Sequence, residues 1–141
     1  MDIRVRIILS ADISFAFANT LHRKTGKYGH IEKHLLYVAD DVRKRISSRK
    51  MEEARKAVER VYNANISDDL VSPSQCALLV IDWINTLIAY IEGLGNKEDL
   101  RLLPRLKFCI GQLSRIVGKD PHVEKAFDVS DKWQRALGII A

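Results

Sequence analysis

Side chains able to do chemistry are thinly spread along this chain, and most of them are basic. His30 and His34 stand four residues apart, the spacing at which two imidazoles on one helix face can share a metal ion. No third ligand lies close by and the H-E-x-x-H pattern is absent, so solvated or phosphate-facing histidines are the expectation. Asp82 and Asn85 sit within an apolar run, where a polar stripe on an otherwise buried helix accounts for both. There is no glycine-rich phosphate loop, no nucleophile motif and no pair of carboxylates at catalytic spacing. Neither an enzyme nor a cofactor is expected. What remains is arginine and lysine: Arg4 and Arg6 near the start, and the basic turn H-R-K-T-G-K-Y-G-H-I-E-K-H from His22 to His34.

The charge is unevenly distributed. Residues 1–60 hold 14 Lys/Arg against 8 Asp/Glu, a net of +6, whereas residues 61–141 hold 9 against 10, a net of −1. A positive field confined to the first half favours an anionic polymer as its partner. The hydrophobic fraction of 47% is ordinary for a folded protein of 141 residues. Asp2, Arg4 and Arg6 break up the start before a targeting segment of any length can form. The longest apolar run, Cys76 to Ile91, is interrupted by Asp82 and Asn85 and falls short of the ~20 residues a membrane span needs. No membrane partner is therefore expected. Cys76 and Cys109 both lie in apolar helical patterns, which predicts two buried thiols in a reducing cytoplasm.

The elements that would position these residues follow from periodicity. Ile3, Val5, Ile7 and Leu9 alternate with Arg4, Arg6 and Ile8, which predicts a half-buried strand. A lone strand leaves its backbone groups unpaired, and no second strand follows, so pairing with a second copy predicts a homodimer. Ser10 is placed to cap a helix carrying Ile13, Phe17 and Leu21, with Gly26 suited to its left-handed end. Ile31, Leu35, Val38, Val42 and Ile46 form the stripe of a second helix, and Ser47–Ser48 marks a break. Met51, Ala54, Val58 and Val61 carry a third. The polar stretch Asn63 to Ser74, with Pro73 discouraging helix at Ser72, reads as a join between domains. Gln75 to Glu92 predicts a helix buried on most sides, ended by Gly93 and Gly95. Leu100, Leu103, Leu106, Ile110, Leu113 and Val117 predict another, kinked or restarted at Pro104. Asp120–Pro121 opens a last helix, or a pair broken near Ser130, bearing Val123, Phe127, Trp133 and Leu137.

The order over Ile3 to Ile46 (short strand, helix, basic glycine turn, longer amphipathic helix) resembles the ribbon-helix-helix DNA-binding family, the fold of the Arc and methionine repressors. The expected fold class is then mainly α: a ribbon-helix-helix module over 1–47, a connecting helix and linker over 48–73, and a helical C-terminal domain over 74–141. The resemblance implies that Arg4, Arg6 and Ile8 face outward from the ribbon and contact bases in the major groove, Ile8 through a thymine methyl. It also implies a phosphate at the start of the second helix, held by Arg23, Lys24, Lys27, Tyr28, Gly29 and His30. Tyr28–Gly29 stands where the family has a small polar residue. The function implied is sequence-specific binding of double-stranded DNA as a homodimer, by a transcriptional repressor, plasmid accessory protein or antitoxin. Its C-terminal domain would be free to meet a protein partner. An alternative is an all-helical interaction or immunity-type module without DNA binding. A third, more distant, rests on Arg115 and His122, whose R-x-x-x-x-x-x-H spacing resembles the motif of HEPN ribonucleases.

Overall fold

Asp2 begins the first element. Its backbone is extended (φ −62°, ψ 143°) and its Oδ1 accepts the Arg4 N–H at 2.8 Å, capping a helix that runs unbroken for 23 residues, α1 (Ile3–Thr25). The structure, a computed structural model, describes residues 2–63, 72–117 and 135. After α1 come α2 (Gly29–Lys44), α3 (Ser48–Asn63), α4 (Pro73–Leu94), the single turn α5 (Lys97–Leu100) and α6 (Leu103–Leu113). Among the described residues there is no strand.

The expected strand over Ile3–Leu9 is therefore corrected to helix, and the ribbon-helix-helix module over 1–47 falls with it. The reason lies in burial. Val5, Ile7, Ile8 and Leu9 are all wholly buried, as are Ser10 and Ala11 after them, so this end of α1 is covered on nearly every side. A helix enclosed in this way shows no stripe at a period of 3.6, and a short apolar run inside it can mimic alternation. A helix also closes its own backbone hydrogen bonds, which a solitary strand cannot do. Ser10, expected to cap a helix, instead lies inside α1. Its carbonyl accepts the Ser14 hydroxyl at 2.7 Å, and Thr20 and Thr25 return their hydroxyl protons in the same way to Ala16 and Leu21. Ser14 and Thr20 thus lie inside the core with their hydroxyls bonded, whereas the buried Ser10 Oγ meets no hydrogen-bond partner among the described residues. Ser10, Ala11, Ser14 and Ala18 are the small buried side chains of this helix.

α1 is the axis of the fold. It packs most extensively on α4, then on α2 and α3, while α6 closes against α4 and α2. One hydrophobic core includes Phe17 and Leu21 of α1, Leu35 and Val38 of α2, Trp83 and Leu87 of α4, and Leu106 of α6. Residues on either side of the expected join at 63–74 therefore share a single interior. α4 is 22 residues long, beyond the Cys76–Ile91 run, and by length and composition it could cross a membrane; 39% of its most apolar window is buried inside the fold. Its start is a capping box. Ser72 Oγ accepts the Gln75 N–H at 3.2 Å, Gln75 Oε1 accepts the Ser72 N–H at 2.8 Å, and Pro73 follows the cap. Gly26 and Gly95 end α1 and α4 with φ of 71° and 67°, a left-handed backbone that suits glycine. The helix expected to carry Val123, Phe127, Trp133 and Leu137, together with His122, lies outside the described residues.

Candidate nucleic-acid interface

α2 is flanked on both sides, and the flanks differ. Toward α1, Glu32 accepts the Asn19 amide at 2.9 Å, and Arg43 Nη2 reaches Asp12 Oδ1 at 2.6 Å. Toward α6 the helix presents His30, His34, Tyr37 and Asp41, spaced four, three and four residues apart and so aligned along one face. The facing side of the α5–α6 segment carries Arg101, Arg105 and Phe108. Between them is an open cleft of about 470 Å³ lined by His34, Arg101, Pro104, Arg105 and Phe108.

Arg105 is the centre of this arrangement. Its guanidinium carbon lies 3.9 Å from the centroid of the Tyr37 ring, and its Nη1 is 3.1 Å from His34 Nδ1. A guanidinium only donates, so Nδ1 accepts and the neutral imidazole carries its proton on Nε2. Burial, reinforced by the charge of Arg105 and then His30, pulls the His34 pKa below its ordinary 6.5 and keeps it in that neutral form. The His34 and Phe108 rings meet edge to face at 5.3 Å and 64°. Tyr37 is 42% exposed and Phe108 46%, which puts two large aromatic surfaces in contact with solvent. No carboxylate among the described residues comes within ion-pair reach of Arg105. Among the described residues its positive charge is held by rings alone.

The neighbouring arginines are closed. Asp99 of α5 is wholly buried and accepts Arg4 Nη1 at 3.0 Å and Arg45 Nη1 on its other oxygen. Arg45 Nη2 also reaches Asp41 at 2.6 Å, and Arg101 Nη2 meets the other Asp41 oxygen at 2.8 Å. Burial alone would raise the Asp41 pKa, but the hydrogen bonds from Arg45 and Arg101 outweigh it and hold the carboxyl below its usual range. This network ties the start of α1 and the end of α2 to the α5 turn. Cys109, on the buried side of α6, has its thiol pushed up to about 11 by burial, and Cys76 is buried as well. Cys109 is therefore not a thiolate at neutral pH.

The residues expected to contact bases serve other ends. Arg4 is bound into Asp99, Arg6 lies 5.9 Å over the Tyr90 ring with a buried Nε, and Ile8 is wholly buried. The outward ribbon face that would have carried them does not exist. The expected phosphate group stays together at the α1–α2 turn: Arg23, Lys24, Lys27 and His30 are exposed, Tyr28 and Gly29 half-buried. Arg23 also donates to Thr20 Oγ1 at 3.2 Å. Tyr28 gives the start of α2 no side-chain cap. A Cβ on Gly29 would sit 3.3 Å from the His22 ring, so that position favours the absence of a side chain. His30 continues this turn directly into the His34–Tyr37 face. No three metal-ligating side chains gather among the described residues. Arg115 is exposed just past the end of α6.

Tyr37, Arg101, Arg105 and Phe108 were missed by sequence reasoning. Phe108 and Arg105 are three residues apart and Arg101 four further back, a periodic signal in its own right, but outward-facing only once the buried stripe of Leu106, Cys109 and Leu113 is known. No family model, curated protein or solved structure matches this chain.

Proposed function

We propose that this protein binds nucleic acid, using the α2–α6 face and the basic α1–α2 turn that leads into it. The observation that carries the reading is Arg105, held over Tyr37 and against His34 with no carboxylate among the described residues to pair it, beside the exposed ring of Phe108. Cations interleaved with exposed aromatic rings are the chemistry that recognises phosphates and bases together. Lys33 and Lys44 are exposed on the same helix, and Lys24 and Lys27 at its approach extend the positive field. From the duplex-DNA expectation the attraction for a polyanion is kept, while base readout by Arg4, Arg6 and Ile8 goes with the ribbon. The homodimer rested on an unpaired strand, so the proposal is made for the single chain. A cytoplasmic setting, where buried thiols stay reduced, belongs to the same proposal.

The test is fluorescence anisotropy with labelled single-stranded and duplex oligonucleotides at low and moderate salt. Binding that weakens linearly in log salt, and weakens further in Arg105→Ala, supports the reading. A folded protein that binds neither form at low salt overturns it in favour of a protein-interaction module.

A further inference from the structure

Resting on that reading, we infer that the α2–α6 cleft takes a single strand, with one unstacked base against Phe108 and the adjoining phosphate at Arg105. The argument starts from what a duplex can offer. In a double helix the base faces are hidden by stacking, and only base edges and phosphates reach a protein. Reading those edges requires an element that protrudes into a groove. Here the His34 and Phe108 rings line an open cleft between two packed helices. Tyr37 and Phe108 are each nearly half exposed, and an aromatic face of this kind is useful to nucleic acid only where a base has left its stack.

The division of labour among the rings points the same way. One face of Tyr37 is taken by Arg105 at 3.9 Å, which fixes the guanidinium rather than leaving it to sample solvent. His34 meets Phe108 edge to face and fixes that ring in turn. Arg105 and Phe108 are therefore pre-positioned as a pair, three residues apart on one face of α6, a charge beside an open stacking surface. Arg101, one turn earlier, has its charge partly met by Asp41 and serves the cleft mainly as wall.

The experiment compares a single-stranded oligonucleotide of about 16 nucleotides, as DNA and as RNA, with its own duplex, on the intact protein. The single strand should bind more tightly than the duplex at the same salt. Phe108→Leu keeps an apolar side chain but removes the stacking face; it should weaken single-strand binding by ~5–150-fold with the salt slope unchanged. Phe108→Tyr should restore it. Arg105→Ala should make the salt slope shallower by about 0.7. Both sites are surface positions, and thermal melting of each variant establishes that it is folded. Duplex binding equal to single-strand binding, or a folded Phe108→Leu with wild-type affinity, overturns this inference while nucleic-acid binding itself stands. No binding of any strand overturns both.

Discussion

Two arginine clusters lie side by side where α2 meets the α5–α6 segment, and they are built on opposite electrostatic terms. In the first, Arg4, Arg45 and Arg101 are closed by Asp99 and Asp41, and the central carboxylate has no exposure at all. In the second, Arg105 rests on Tyr37 and His34 and meets no carboxylate among the described residues. The first arrangement joins three helical segments but leaves little charge for a ligand. The second contributes little to joining helices and keeps its charge available. The same residue type is structural in one place and presented for binding in the other, according to what it faces.

The largest effect should come from breaking the closed cluster. Asp99→Ala strands the mostly buried Arg4 guanidinium and leaves Arg45 to Asp41 and the exposed Glu98, and removing one partner of such a buried network costs about 3–5 kcal/mol. Urea unfolding should show the unfolding free energy falling by that amount; a loss below about 1 kcal/mol would mean that water reaches the site and the cluster is not structural. Arg105→Ala is the counterpart. Losing a cation–π contact at a partly exposed site should cost only about 0.5–1 kcal/mol of stability, while nucleic-acid binding drops. If instead its stability loss equals that of Asp99→Ala, the contrast between the clusters disappears.

Acid sharpens the comparison further. The folded state holds the His34 pKa below 6.5, so as pH falls through that value the unfolded chain takes up a proton that the folded chain refuses. Stability should decline with acid until the lower, folded pKa is passed. His34→Gln should remove that component of the pH dependence in unfolding curves taken either side of pH 6.5, and an unchanged profile would mean that burial beside Arg105 does not hold the ring neutral. The smallest effect belongs to Asp12, on the opposite flank of α2. Burial raises its pKa despite the Arg43 contact, so the ionised form is held at some cost and stability falls as pH rises just above the ordinary 3.8. Asp12→Asn should abolish that slope and shift stability near neutral pH by less than about 1 kcal/mol. A larger loss would make the Asp12–Arg43 pair a second structural clamp.

Much of the helical frame was legible in the sequence. Ile31, Leu35, Val38 and Val42 are buried where their spacing places them, Gly26 takes the left-handed end of α1, and Pro104 restarts the chain as α6. These features depend on interactions spanning three or four residues, which a local pattern records directly. α1 misled for the opposite reason. The helix is packed by α4, α2 and α3, and in its first half Val5, Ile7, Ile8 and Leu9 carry no exposed side from which a period could be read. Chemistry by residue type was visible too: the basic turn and the two histidines stand out in any reading. Which arginines remain electrically open was not. Arg105 finds His34 across 71 residues of chain, and Arg45 finds Asp99 across 54. Whether a guanidinium meets a carboxylate or a ring is decided within about 4 Å, by how the helices pack, and no local spacing encodes that distance.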